Sequence, residues 1–272
     1  MRTLVLLLGL LVALLPATTT KAQIASPNEM GVSMGHVNLL AQDVDAAKQF
    51  WITLGGTPAN HGPLDFLKFP GILIFVRKGE PSGGSVGSVV DHIGFYVANI
   101  RQSMGKWKAA GLKTEPGANA RQGYVTTPDG LVRIEILENT SLSVPIAFDY
   151  IYFEVADTGT AGKPTMSEMQ AWYAKIFGGT PGKLGQLYSD SFPGGTLLFA
   201  KSDTPTAPTQ GRGLDHIGFE VRDLEAFCKR AEASGAKLDR PFTKRSELNE
   251  SLAVLTDPWG IRIELNDGVA QR

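Results

Sequence analysis

The sequence predicts an α+β fold assembled from four strand–helix–strand–strand–strand (βαβββ) units. The first observation is an internal repeat, because Asp91-His92-Ile93-Gly94-Phe95 returns as Asp215-His216-Ile217-Gly218-Phe219. The second is that each copy is followed downstream by a turn and an Arg-Ile-Glu run, at 133–135 and at 262–264. Recurrence of the same motifs in the same order indicates duplicated structural units.

The first unit is predicted from its local pattern. Residues 36–41 alternate like a strand, and Asp43 is a typical N-cap for the helix that follows. Apolar residues fall on one stripe of that helix until Gly55-Gly56 ends it. Extended runs at 64–69 and 72–77 complete the unit.

The other three units are predicted in the same way. The second opens at His92, and the fourth opens at Asp215. The third opens with 149–155, and its helix begins at Thr165 with Glu168 three residues later, the pattern of a capping box. The second unit has a predicted helix at 100–110 and predicted strands at 124–127 and 131–137. The fourth unit has a predicted helix at 223–234 and predicted strands at 252–255 and 261–265.

Residues 139–145 are predicted to link two tandem domains. Pairing the units in chain order places the first two in residues 34–138 and the last two in residues 147–267. The Gly/Ser-rich segment 79–87 and the segment 204–213, rich in Pro, Thr and Gly, then connect the two units of each domain.

The N-terminus predicts export. Arg2 precedes an apolar run from Leu4 to Leu15, and small residues lead to Ala22, as in a cleaved secretory signal peptide of residues 1–22. The run is shorter than the roughly 20 residues of a membrane-spanning helix. We therefore expect a secreted or periplasmic protein with no stable membrane association after cleavage.

Charge and cysteine content exclude other classes. The formal charge is −1, and removing Arg2 and Lys21 with the signal peptide takes it to −3, which argues against a nucleic-acid partner. The only cysteine, Cys228, lies among apolar residues at helical spacing, which predicts a buried core thiol and no internal disulfide.

The order of these motifs resembles the vicinal oxygen chelate superfamily, which includes glyoxalase I, the fosfomycin- and bleomycin-resistance proteins and the type I extradiol dioxygenases. The resemblance covers residues 34–266. In that family two units form an eight-stranded, U-shaped sheet around a ligand cleft, so it implies two such domains and two clefts. The residues that carry it are the helix ends Phe50-Trp51-(x)3-Gly55-Gly56 and Trp172-Tyr173-(x)4-Gly178-Gly179, the two Asp-His-Ile-Gly-Phe strands, and the endings Pro-Asp-Gly…Arg-Ile-Glu and Asp-Pro-Trp-Gly…Arg-Ile-Glu.

The resemblance also implies a metal site in the first domain. Family ligands come from the opening strand of each unit and the last strand of the second, which here are His36, His92 and Glu135. Two imidazoles and a carboxylate suit one divalent metal (Fe, Mn, Zn or Ni) and leave positions open for two vicinal oxygens of a substrate. Glu135 lies five residues after Gly130, whereas Glu264 lies four after Gly260, so a slip of one residue would turn Glu135 to the opposite face.

The second domain is predicted to hold a degenerate cleft of Tyr150, His216 and Glu264. Tyr150 stands where His36 stands in the first domain. A phenol with a reference pKa of about 10 is mostly protonated at neutral pH and is a poor metal ligand. We therefore expect metal in the first domain alone, with His216 and Glu264 as a hydrogen-bonded pair.

Two functions follow from these residues. The first is an exported metal-dependent enzyme of the vicinal oxygen chelate type, with lyase, isomerase or dioxygenase-like chemistry on a small oxygenated substrate. Tyr124 is its candidate catalytic residue, because it resembles the tyrosine that extradiol dioxygenases place near the bound catechol. The alternative is a metal-free small-molecule-binding protein of the bleomycin-resistance kind, with the donors as remnants. The sequence leaves the metal, the substrate and homo-oligomerisation open.

Overall fold

The structure is a computed structural model that describes residues 24–156 and 165–268. The predicted signal peptide, residues 1–22, lies outside the described residues. Across the described ranges, no helix is both long and apolar enough to cross a membrane.

Four βαβββ units follow one another along the chain, as predicted. The first contains β1 (Val32–Ala41), α1 (Val44–Leu54), β2 (Thr57–His61), β3 (Leu64–Phe69) and β4 (Ile72–Lys78). The second contains β5 (Val90–Val97), α2 (Ile100–Ala109), β6 (Lys113–Pro116), β7 (Gln122–Thr126) and β8 (Arg133–Glu138). The third contains β9 (Ile146–Ala156), α3 (Met166–Phe177), β10 (Thr180–Leu184), β11 (Leu187–Phe192) and β12 (Gly195–Ser202). The fourth contains β13 (Leu214–Val221), α4 (Leu224–Ala233), β14 (Leu238–Arg245), β15 (Glu250–Thr256) and β16 (Arg262–Asp267).

The helices begin at the predicted caps. The side chain of Asp43 accepts a hydrogen bond from the backbone N–H of Ala46, which satisfies a donor at the start of α1. Thr165 and Glu168 form the predicted capping box at the start of α3, and Gly178 ends that helix in the left-handed conformation.

The strands form two eight-stranded sheets, so the predicted α+β fold with paired units is confirmed. The first sheet has the order β14-β15-β16-β13-β1-β4-β3-β2 and therefore joins the first and fourth units. The second sheet has the order β10-β11-β12-β9-β5-β8-β7-β6 and joins the second and third units.

The prediction that residues 34–138 and 147–267 form separate sheets is therefore wrong. The opening strand of the first unit pairs antiparallel with that of the fourth, β1 with β13, and β5 pairs in the same way with β9. Residues 139–145, predicted as the inter-domain linker, join two units of the second sheet. The four opening strands have the same alternating sequence pattern, so the sequence of a unit does not show which other unit pairs with it in a sheet.

The chain crosses between the sheets at two segments, one after β4 and one before β13. These two segments run side by side and are joined by backbone hydrogen bonds. The N–H of Val89 donates to the carbonyl of Ala207, and the N–H of Ser82 donates to the carbonyl of Gly211. These segments were predicted to lie within domains, and they instead connect one sheet to the other.

Both sheets share one hydrophobic core. Trp51 of α1 lies 6.2 Å, between ring centroids, from Phe95 of the second sheet, and Phe69 lies 5.0 Å from the same ring. Cys228 is buried in this core, as predicted. Contacts of this kind make the two sheets parts of one packed body.

The first sheet curls until its opposite edges meet. A ring nitrogen of His61, at the end of edge strand β2, lies 2.7 Å from the carbonyl oxygen of Leu248, in the short 3-10 turn between β14 and β15. His61 is half-buried at the end of its strand. This curvature matches the predicted U shape and creates a concave face.

Candidate metal centre

His36 and His216 meet because β1 and β13 are neighbours at the centre of the first sheet. In the antiparallel register His36 lies opposite Gly218, and Asn38 lies opposite His216. The two imidazole rings are 5.7 Å apart, edge to face, and both residues are buried.

Gly218 gives His36 its position. A methyl group added at Gly218 would overlap the imidazole ring of His36, so the ring lies directly over the glycine backbone. The glycine of the Asp-His-Ile-Gly-Phe motif therefore makes room for a ring from the opposite strand.

Glu264 completes the group from β16. This strand runs parallel to β13 and places Glu264 beside Gly218. The carboxylate oxygens lie 3.7 Å from Nε2 of His36 and 3.5 Å from Nε2 of His216. One ligand atom from each residue lies within 4.8 Å of the others, and we call this group the two-histidine site.

Burial sets the charge state of the site. It lowers the pKa of His36 to about 4, against the raising effect of Glu264 and with smaller lowering effects from His216 and Arg77. Burial acts to raise the pKa of Glu264, but the charges of His36, His216 and Arg77 outweigh it and hold that pKa below its usual range. A neutral imidazole and an ionised carboxylate are the forms that bind a metal.

His216 is oriented by its neighbour in the sequence. Its Nδ1 lies 2.6 Å from the carboxylate of Asp215, which can only accept, so Nδ1 carries the proton. Nε2 is buried, faces Glu264 and has no hydrogen-bond partner among the described residues. A buried ring nitrogen without a partner, on an imidazole held by a carboxylate, is the arrangement of a histidine metal ligand.

These donors fit one divalent metal ion. Two imidazole nitrogens and a carboxylate oxygen form three corners of a coordination sphere and leave others for substrate. The neighbouring strand β4 presents Phe75, whose ring lies 5.1 Å from that of His36, so no fourth donor comes from that side. Within residues 24–156 and 165–268, this is the one group of three such side chains with metal-binding spacing.

A cavity of about 530 Å³ opens beside the two-histidine site. Side chains from β1, β4, β13, β14, β15 and β16 line it. The residues that line it are Asn38, Leu40, Arg77, Asp215, His216, Arg240, Arg245, Leu252, Val254, Arg262 and Glu264.

The second sheet holds a related group, His92, Glu135 and Tyr150, which we call the tyrosine cluster. Tyr150 lies opposite Gly94 as His36 lies opposite Gly218, so the predicted equivalence of Tyr150 and His36 is confirmed. Glu135 lies beside Gly94 as Glu264 lies beside Gly218, so the turn after Gly130 absorbs the extra residue.

Direct hydrogen bonds hold the tyrosine cluster together. Tyr150 donates its hydroxyl proton to Glu135, Gln122 donates to the same carboxylate, and Nε2 of His92 lies 3.0 Å from it. Burial acts to raise the pKa of Glu135, and the bonds from His92, Tyr150 and Gln122 outweigh it and lower that pKa to about 2. The pKa of Tyr150 is raised by burial and by Glu135, so the phenol keeps its proton.

The predicted metal set of His36, His92 and Glu135 is therefore not brought together. His36 lies in the first sheet, and His92 and Glu135 lie in the second. The predicted degenerate set of Tyr150, His216 and Glu264 is divided in the same way. Both errors follow from pairing the units in chain order, since the residues themselves occupy the expected strands.

Tyr124, the candidate catalytic residue, lies beside the tyrosine cluster. Its ring lies 6.4 Å from that of His92, and the guanidinium of Arg133 stacks on it at 3.7 Å. The equivalent position near the two-histidine site is Val254, which pairs with Glu264 as Tyr124 pairs with Glu135. Tyr124 is therefore not placed to act at the two-histidine site.

The fold and the two-histidine site define a tandem βαβββ protein with a candidate metal centre. Residues 161–265 match the family model of the glyoxalase, bleomycin resistance protein and dioxygenase superfamily. This match includes His216 and Glu264, and in the second half of the chain it supports the resemblance to the vicinal oxygen chelate superfamily.

Solved structures share this fold along most of the chain. Glyoxalase I from Zea mays is 13% identical, with a TM-score of 0.68 over 88% of this chain and 94% of that one. A putative dioxygenase from Bacillus subtilis is 14% identical, with a TM-score of 0.65 over 90% of this chain and 86% of that one. No curated protein sequence matches the chain.

Proposed function

We propose that the protein is a metal-dependent enzyme of the vicinal oxygen chelate type, acting on a small oxygenated molecule at the two-histidine site. The class of reaction is that of a lyase, an isomerase or a dioxygenase-like enzyme. The observation that carries the proposal is the convergence of His36, His216 and Glu264 beside a cavity of substrate size.

The residues of the chain have distinct roles in this proposal. His36, His216 and Glu264 would hold the metal, and Asp215 would keep the lone pair of His216 Nε2 turned toward it. A divalent ion bound there supplies Lewis-acid polarisation of the substrate oxygens and, for Fe, redox chemistry. The candidate ions are Fe, Mn, Zn and Ni.

Glu264 is also placed to accept a proton from the substrate. Of the two carboxylates that line the cavity, Asp215 is engaged by His216 and by the backbone N–H of Gly211. Glu264 instead faces both imidazoles and the cavity. A proton released at the site would therefore pass to an oxygen of Glu264.

Metal analysis of paired variants tests the proposal. Protein purified without chelators and supplied with Fe, Mn, Zn or Ni should bind about one equivalent of one of these metals, measured by plasma mass spectrometry. His216→Ala should abolish binding, whereas the matched His92→Ala should keep it. Absence of metal from the wild type with all four ions would contradict the proposal.

That negative result would favour a metal-free binding protein. The tyrosine cluster supports this second candidate. It has the same strand motif, but the carboxylate of Glu135 is engaged by hydrogen bonds from protein side chains and needs no metal. Such a protein would use the cavity of the first sheet to hold its ligand.

We further propose that the protein is exported. The support is the charged start, the apolar run from Leu4 to Leu15 and the small residues before Ala22. Mass measurement of the mature protein after expression in a Gram-negative host tests this. A periplasmic product that begins at Gln23 is expected, and an uncleaved cytoplasmic chain would contradict export.

A further inference from the structure

Four arginines surround the cavity of the first sheet. Arg77 lies on β4, Arg240 and Arg245 lie on β14, and Arg262 lies on β16. Two carboxylates, those of Asp215 and Glu264, line the same cavity. The cavity wall is thus basic in a chain whose formal net charge is −1.

Two of the four arginines already have acidic partners. Arg245 lies 2.8 Å from the carboxylate of Glu250, and Arg262 lies 3.7 Å from that of Asp215. Arg77 and Arg240 have no carboxylate within 4.0 Å in the part of the chain that the structure describes. Both residues are exposed and line the cavity, so their guanidinium groups are available to bind another anion there.

The sheet register places Arg77 and Arg240 on opposite sides of the two-histidine site. Arg240 lies opposite Val254, which lies opposite Glu264, so Arg240 is two strands or about 10 Å from Glu264 along one row. Arg77 lies two strand positions beyond Phe75 on the same face of β4, and its charge acts on both His36 and Glu264. Arg77 pairs with Leu40, four residues along β1 from His36, and both arginines line the cavity that opens beside the site.

We propose that the substrate of the two-histidine site is an anion. Beside the oxygens that would bind the metal, it carries an oxyanion group, a carboxylate or a phosphate, held by Arg77 and Arg240. Guanidinium groups bind both oxyanions through paired N–H donors, and these charged hydrogen bonds are stronger than neutral ones. The inference rests on the proposed function, because the metal would bind the vicinal oxygens of the substrate. The binding of the oxyanion group by Arg77 and Arg240 does not depend on that metal.

Three 2-hydroxy acids that differ at carbon 3 test this inference. Carbon 3 is an unsubstituted methyl group in lactate, carries a carboxylate in malate and carries a phosphate ester in 3-phosphoglycerate. All three acids offer the same vicinal oxygens at carbons 1 and 2. Calorimetric titration into manganese-supplied protein should show that malate or 3-phosphoglycerate binds at least about tenfold more tightly than lactate. The stronger of the two identifies the oxyanion.

Arginine variants isolate the cause of this preference. The double variant Arg77→Gln, Arg240→Gln should reduce the ratio to within about twofold, the loss expected when charged hydrogen bonds are removed. The matched control Arg101→Gln, an exposed arginine of α2, should keep the full ratio. Equal binding of the three acids by the wild type, or an unchanged ratio in the double variant, would overturn the inference.

Manganese stoichiometry separates this inference from the proposed function. If the wild type binds no manganese, the proposed function fails, and the same titrations on the metal-free protein still decide whether the arginines select ligands with a second anionic group. If manganese binds and the ratio is near one, the proposed function stands and the anion inference fails. Thermal melting of the double variant checks that it is folded.

Discussion

At the residue scale, two glycines determine where the rings of each site lie. A side chain at Gly218 would overlap His36, and a side chain at Gly94 would overlap Tyr150. The repeated Asp-His-Ile-Gly-Phe motif thus carries both a histidine and the space for a ring from the partner strand. The sequence shows the histidine directly, but the function of the glycine follows only from the cross-strand register.

We predict that Gly218→Ala weakens metal binding by at least about tenfold, because the added methyl group displaces His36 and removes one ligand. Gly94→Ala makes the same change beside Tyr150 and should leave metal affinity within about twofold of the wild type. Competition with a fluorescent chelator measures both. Equal losses in the two variants would contradict the role given to Gly218.

A buried carboxylate makes stability depend on pH. Asp190 of β11 is fully buried, and neither carboxylate oxygen has a hydrogen-bond partner among the described residues. Burial raises the pKa of Asp190 from 3.8 to about 7. The folded chain therefore holds this proton more tightly than the unfolded chain, so the free energy of unfolding falls as pH rises from about 4 to about 7.

We predict that Asp190→Asn stabilises the protein at pH 8 by a few kcal/mol, on the order of the charge penalty that it removes. The variant should also show a smaller loss of stability between pH 4 and pH 7, measured by urea unfolding. Some slope should remain, because burial also raises the pKa of Asp257 to about 6. The exposed control Asp203→Asn should follow the wild type, and the same behaviour from Asp190→Asn would contradict the assignment.

At the element scale, the strands beside the site could be predicted and the edge strands could not. The opening strands, the helices and the last strands carry apolar alternation, stripes and caps. The edge strands β2, β6, β10 and β14 are mostly exposed on both faces, so they lack that alternation. Edge strands pair on one side only and need not bury either face.

The contact between the two edges of the first sheet can be tested at His61. We predict that His61→Ala lowers the free energy of unfolding by about 1 kcal/mol, since it removes the hydrogen bond to the carbonyl of Leu248. Amide hydrogen exchange in residues 246–250 should become faster as well. The neighbouring exposed control, Asn60→Ala, should change neither quantity. Unchanged exchange in His61→Ala would show that this contact does not hold the edges together.

At the scale of the whole molecule, unit pairing determines which residues form a site. The first and third units contribute His36 and Tyr150, and the second and fourth contribute His92 and His216. Motifs in the sequence identify these four residues. They do not show whether the first unit pairs with the second or with the fourth, because the opening strands of the four units have the same alternating pattern. The observed pairing places two histidines in one site and a histidine with a tyrosine in the other.

This asymmetry predicts that one substitution creates a second metal site. Tyr150→His would place an imidazole over Gly94, beside His92 and Glu135, in the arrangement that His36 has over Gly218. We expect bound metal to rise from about one equivalent toward two, measured by plasma mass spectrometry, with the wild type as the control. A value that stays at one would show that equivalent positions do not give equivalent sites.

The proposed metal binds to His36, His216 and Glu264 in the first sheet. Anomalous diffraction from a crystal of the protein soaked with Mn, Zn or Ni tests this placement directly. We expect one strong peak per chain, about 2.0–2.2 Å from the imidazole nitrogens and carboxylate oxygen of these residues. A peak beside His92 and Glu135, or no peak in the first sheet, would contradict it.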